Sequence, residues 1–285
     1  MSLDLIFKEL DSAKGESAFT CIKNLKDVRR NVQKRIIEPW KIRQRYASLC
    51  GPTVFMQTLA SRFPEVYAQY VADLILKGEA KIGNLKIKPG NDCKKYNGPS
   101  NMIDPVDWVA LASLRDATNG MFDYQSPSDE FSGITLPSAL EGWFVKTGLF
   151  RTVDNRTNLI FDKGLGNFID AVTKNVSNNM QVCLFIGSRL LNMSPKSSSK
   201  GNCPADHWVI LSSNSRVLVD GQPITSYKSW INDKSKKEDL EKLYDKKITF
   251  TVQTWGEANF PATQTRNNLT VAEFLDFYYG YVCAG

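Results

Sequence analysis

The chain has a single histidine, His207, among 285 residues. Chemistry that needs two imidazoles therefore has none to spare, which argues against a peptidoglycan hydrolase built on a histidine pair. No run of about 18 apolar residues exists, so no transmembrane helix is expected. The first ten residues interleave Asp4, Lys8 and Glu9 with their apolar positions. That is not the apolar core of a secretory signal, and the chain reads as made in the cytoplasm without a signal peptide. No C-x-x-C pair occurs, and the six cysteines (21, 50, 93, 183, 203 and 283) form no dense framework. Neither a zinc site nor a disulfide scaffold is indicated, and thiols are expected. The net charge of +6 is not concentrated on one stripe. Between Lys228 and Lys247, seven lysines are mixed with five acids, the pattern of a solvated helix and its flanks. Nucleic acid and membrane are therefore not expected partners.

The hydrophobic share of 42% suits a folded chain with a sizeable core. Residues 1–43 read as a lead-in segment, and residues 44–285 as one domain. Helical spacing occurs at Leu3, Ile6, Phe7 and Leu10, and Pro39 should end any helix in the basic stretch before it. A helix is expected from Cys50, with Pro52 tolerated in its first turn and Phe55, Leu59 and Phe63 on one face. A second helix runs from Glu65 and stops at Gly78. A short hairpin turns at Gly83-Asn84, and a helix spans Pro105 to Leu114. Thr135 is placed to cap a helix from Leu136 to Thr147. Further on, a brief strand at Asn158–Phe161 and a helix at Leu165–Val176 are expected. Strands are expected at Gln181–Ile186, His207–Ser212, Arg216–Val219 (pairing back on the histidine strand) and Lys247–Trp255. Thr270–Tyr281 reads as a helix. Helices first and strands later is the α+β pattern.

Chemistry concentrates at residues 44–53. A cysteine attacks as the thiolate, and a helix N-terminus or a neighbouring imidazolium lowers its pKa from about 8.5. Cys50 opens the expected helix, and Gly51 leaves room beside the sulfur for a substrate carbonyl. Taken alone, a Cys-Gly pair is more often a buried cysteine at a helix start. His207, after a polar loop containing Ser197 to Ser199, is the one base available to such a thiol. Asp220, at the end of the following strand, is the candidate to orient the imidazole, with a turn aspartate as the alternative. Asp206 is the weaker candidate, since adjacent side chains in a strand face opposite ways, and Asn214 is a further one. Gln44 can donate to the oxyanion of a tetrahedral intermediate together with the Cys50 backbone N–H.

Gln44, five intervening residues and Cys50-Gly51-Pro52 resemble the papain-like superfamily, especially the peptidases that cut after double-glycine leaders. Asp206-His207-Trp208-Val209-Ile210-Leu211 is similar to their histidine strand, and Val217-Leu218-Val219-Asp220-Gly221 to their acidic one. Together with Asp107–Asp116, Gly133–Pro137 and Thr254-Trp255-Gly256, the chain also resembles papain-like effectors that bacteria deliver into rivals, including by type VI secretion. Leu49 departs from the leader peptidases, which often carry aspartate there, so a Gly-Gly preference does not carry over directly. The resemblance implies a papain-like α+β fold with Cys50, His207 and Asp220 catalytic, Gln44 in the oxyanion hole, and no cofactor or metal. It implies an antibacterial thiol protease acting on a protein of the target cell. Its partners would be a cognate immunity protein and a component of the secretion apparatus. The same thioester chemistry would serve a deamidase or transglutaminase toxin, and a non-enzymatic binding module is the other alternative.

Overall fold

The computed structural model describes residues 1–98, 102–118, 135–158, 163–192, 205–213, 216–262 and 269–285. The fold is mixed α+β, and every strand pair among the described residues is antiparallel. The chain divides into two compact units, Met1–Leu149 and Phe150–Gly285. Residues 1–43, read from the sequence as a lead-in segment, fall within the first unit.

The first unit contains helices α1 (Leu3–Ser12), α2 (Leu25–Ile37), α3 (Cys50–Arg62), α4 (Pro64–Lys77), α5 (Asn91–Lys95), α6 (Pro105–Thr118) and α7 (Pro137–Thr147). A hairpin of β1 (Ala80–Ile82) and β2 (Leu85–Ile87) lies between α4 and α5. Helix α1 packs against α2 and α4, and α3 against α4, α6 and α7. The core is formed where α4 brings Tyr67, Tyr70, Val71 and Leu74 together with Trp108, Val109 and Leu111 of α6, all fully buried. Two of its polar tips find carbonyl partners: Tyr70 Oη donates to the Ala110 carbonyl at 2.8 Å, and Trp108 Nε1 to that of Cys93 at 3.0 Å. Gly78 ends α4 in the left-handed region, its N–H bonded to the Leu74 carbonyl. Helix α7 does not use the expected cap. Leu136 precedes it, Pro137 supplies the first turn, and no side chain caps the end.

The second unit is built on a six-stranded sheet of order β10-β9-β5-β4-β11-β3 and a three-stranded sheet of order β7-β6-β8. The strands are β3 (Val153–Asn155), β4 (Gln181–Ile186), β5 (His207–Leu211), β6 (Leu218–Val219), β7 (Gln222–Pro223), β8 (Ile248–Thr249), β9 (Thr251–Thr254), β10 (Glu257–Pro261) and β11 (Tyr278–Ala284). Helices α8 (Leu165–Ser177), α9 (Arg189–Asn192), α10 (Lys237–Lys242) and α11 (Val271–Leu275) complete it. Phe168, Ile169 and Val172 of α8 join Val182, Leu184, Val209, Leu211 and Val252 in one apolar core. Phe168 sits at its aromatic centre, with ring centroids 4.6 Å from Phe274, 5.2 Å from Tyr278 and 5.3 Å from Phe250.

Two expectations for this unit are corrected. The segment from Lys247 to Trp255 is two strands, because Phe250 turns inward between β8 in the small sheet and β9 in the large one. Thr270–Tyr281 is helical only to Leu275. A capping box between Thr270 and Glu273 starts α11, but Tyr278, Tyr279, Tyr281 and Val282 prefer a strand and enter the sheet as β11. Gly280 has φ +106, and a Cβ there would lie 2.2 Å from the Arg156 carbonyl oxygen. Of the strand expected at Asn158–Phe161, residues 159–161 lie outside the described residues, and β3 precedes it. Among the described residues, no helix is long and apolar enough to cross a membrane.

Candidate active site

Cys50 is the first residue of α3, as the position of Pro52 in the first turn requires. Its side chain is a thiol rather than half of a disulfide, and only 7% of the residue is exposed. No side chain caps this helix start, so the positive end of the helix dipole falls on the segment that carries the sulfur.

The loop into Cys50 is held from two sides. Gln57, buried about two turns into α3, donates from Nε2 to the Ile42 carbonyl at 2.8 Å. On the other side is a buried ion pair. Arg35 of α2 reaches Asp107 of α6 through Nε at 2.5 Å and Nη2 at 2.9 Å. Burial pulls the Arg35 guanidinium down, but the charge and hydrogen bonds of Asp107 outweigh it and hold the pKa above the ordinary arginine value. Burial raises the Asp107 carboxyl, and Arg35 draws it part of the way back. The same carboxylate accepts the Arg43 backbone N–H at 3.4 Å, which carries the anchor into the loop. Asp104 adds more exposed ion pairs with Arg43 and Arg45. Tyr46 N–H bonds the Met102 carbonyl at 3.3 Å, and Arg45 takes the left-handed conformation between.

Gln44 lies in this pinned loop. Its side-chain Oε1 is buried and has no hydrogen-bond partner among the described residues. Gly51 departs from its expected use. The room left by its missing side chain is filled by Thr135, whose Cβ would lie 2.3 Å from a Cβ at position 51. The glycine serves close packing of α3 against the segment before α7, not access for a substrate.

In the second unit, His207 opens β5 and is buried, with Ile186 of β4 as its sheet partner. Burial lowers the imidazole from 6.5 to about 4, and Asp206 opposes that only partly. The ring is therefore neutral at pH 7 and holds one lone pair for a proton. Its Nε2 lies 3.1 Å from Thr254 Oγ1 on β9. Asp206 is turned to Ser188, accepting from its backbone N–H at 2.6 Å and its hydroxyl at 2.8 Å. This fixes the entry to β5.

Asp220, the expected orienter, follows β6 in the small sheet. Its strand does not pair with β5, whose neighbours are β4 and β9; β6 pairs with β7 and β8 in the small sheet. Asp220 and Gly221, both with positive φ, form the two-residue turn from β6 to β7. The carboxylate is 61% exposed and faces Lys246 Nζ at 3.4 Å. Asn214, the other candidate, lies outside the described residues.

Reasoning from sequence missed the residues that hold these groups. Asp107 and Gln57 were hidden inside apolar helices, where a lone polar residue in a buried stripe is the only signal. Thr254 read as an ordinary strand former. Cys50 and Gln44 thus belong to the first unit, and His207 with Thr254 to the second. No protein-family model matches the sequence, and no curated protein or solved structure proves similar to it.

Proposed function

We propose that the protein is a papain-like cysteine peptidase and that it acts as an antibacterial toxin on a protein of the target cell. The observation that carries this reading is the placement of Cys50 as the uncapped first residue of α3, behind a loop anchored on buried Asp107 and carrying Gln44. In this reading Cys50 attacks a peptide carbonyl as the thiolate, and the neutral imidazole of His207 takes its proton. Gln44 and the Cys50 backbone N–H bind the oxyanion. The amine leaves with the proton returned by His207, and water then releases the acyl group from the sulfur. The toxin role, the immunity protein and delivery by a secretion system rest on the family resemblance.

The chemistry is tested by iodoacetamide labelling of the full chain at neutral pH, with each cysteine located by mass spectrometry. Selective labelling of Cys50, lost in His207→Ala, is expected. In cleavage assays on bacterial lysate, Cys50→Ala should produce no new N-termini. Gln44→Ala should lower kcat by about 10²–10³-fold. Uniform slow labelling of all six cysteines, unaffected by His207→Ala, would sink the enzyme reading. A mass gain of about one dalton, or a crosslink, in place of cleavage would reassign the thioester chemistry to deamidation or acyl transfer.

A further inference from the structure

We propose that Thr254 is the positioning residue for His207: its hydroxyl accepts the Nε2 proton, holds the Nε2–H tautomer, and leaves Nδ1 as the basic nitrogen. The assignment of Nδ1 rests on the function proposed above; the contact with Thr254 does not.

Register brings the two side chains to one face of the sheet. Strands β5 and β9 pair Ile210 with Gln253 and Leu211 with Val252. Thr254 is therefore opposite Val209, and His207 lies two residues along the same face. Both residues are buried, His207 at 7% and Thr254 at 6% exposure, so water competes little for the 3.1 Å contact. The carboxylates near it in sequence are engaged elsewhere, Asp206 with Ser188 and Asp220 with Lys246.

The turn after Thr254 reinforces the placement. Thr254 pairs with Glu257, and the two residues between them, Trp255 and Gly256, have φ +51 and +88. Positive φ at both positions is what a type I′ hairpin turn demands, and a tryptophan there is unusual. Its ring is put to use. It lies 6.0 Å from the imidazole, inclined by 32°, and packs edge-on against Phe260 at 5.1 Å. The imidazole is thus fixed at its nitrogen by Thr254 and along its plane by Trp255.

A neutral hydroxyl can do what an orienting carboxylate does for the tautomer, but it brings no negative charge to an imidazolium. When Nδ1 takes a proton from a thiol and later gives it to a leaving amine, Nε2 keeps its own proton on Thr254. No proton passes to Thr254.

Because the chain has one histidine, ¹⁵N–¹H spectroscopy sees one imidazole. The full chain should give ring-nitrogen shifts of the Nε2–H tautomer at pH 7. Thr254→Val, close in shape, should give mixed tautomers and slow iodoacetamide labelling of Cys50 about tenfold, the worth of one hydrogen bond. Thr254→Ser should retain the wild-type tautomer and rate, and matched melting curves exclude unfolding as the cause. An Nδ1–H ring in the wild type, or Thr254→Val with unchanged tautomer and labelling, overturns the proposal. If the tautomer responds to Thr254→Val but Cys50 labelling ignores His207→Ala, the positioning contact stands. In that case the peptidase reading, and Nδ1 as its base, fall.

Discussion

Arg35 and Asp107 form a fully enclosed ion pair 72 residues apart in sequence, and that pair sets the path of the loop into Cys50. The Asp107 carboxylate receives Arg35 on one side and the Arg43 backbone N–H on the other, so a helix–helix contact and a loop conformation share one acceptor. Removing either partner strands a buried charge, which typically costs about 3–5 kcal/mol. Asp107→Asn and Arg35→Leu should both lower the urea midpoint of the full chain. Asp107→Asn should also reduce thiol reactivity at Cys50 beyond its effect on folding. Arg35→Leu with Asp107→Leu together should recover much of the stability but not the reactivity, because the Arg43 N–H would still lack its acceptor.

His207 gives stability an acid limb. Its folded pKa is about 4, below the unfolded value of 6.5, so the unfolded chain binds the extra proton between those values. Its contribution is fully present above pH 6.5 and is lost as pH falls towards 4. The gap corresponds to about 3 kcal/mol at most. Urea unfolding at pH 7.5 and pH 4.5 should show a larger loss for the wild type than for His207→Gln, which does not titrate. Equal losses in the two proteins would show that the ring is not buried in its neutral form.

Gly51→Ala should destabilise the first unit through Thr135, not through the sulfur. The added methyl would sit 2.3 Å from both Cβ and Oγ1 of that threonine, and overpacking of this kind costs about 1–3 kcal/mol. Thr135→Ala leaves the Cβ clash in place and should not restore the melting temperature of Gly51→Ala. Thr135→Gly should restore part of it.

Asp220→Asn should leave the rate of Cys50 labelling within about twofold of wild type, since an exposed ion pair contributes little. Asparagine also tolerates the left-handed conformation that the turn requires. A large fall in rate would return Asp220 to the role its sequence position suggested.

Gly280→Ala combines a forbidden φ with a clash against the Arg156 carbonyl. It should shift thermal unfolding of the second unit downward by several degrees, the effect expected of a loss of about 1 kcal/mol or more.

The helices of the first unit were legible because their signals are local. Pro52 and Pro64 mark first turns, Gly78 marks an end, and apolar positions recur on one face. The start of α3 at Cys50 was therefore readable, while the use of Gly51 was not. Sequence reveals a missing side chain but not which neighbour, here 84 residues away, fills the room. The strands at Gln181 and His207 were legible from their apolar runs, but the pairing of the next one was not. Leu218-Val219 follows the histidine strand closely, which suggested pairing with it, yet its partners are β7 and β8. Thr254 could be found only through register, which no local pattern encodes. At residues 270–281 a genuine capping box began a helix, and the aromatic run after it followed the demand of the sheet.

The position of β11 carries a consequence for the order in which the protein can be made. Residues 278–284 lie inside the large sheet, between β4 and β3. A ribosome delivers the N-terminal end first, and helix-rich segments with local contacts fold early. The segment bearing Cys50 can thus be compact while the sheet bearing His207 still lacks an interior strand. The large sheet is completed only when the chain has been synthesised through Ala284. In a chain organised this way, the segment that carries Cys50 is made and can pack before the sheet that carries His207 closes.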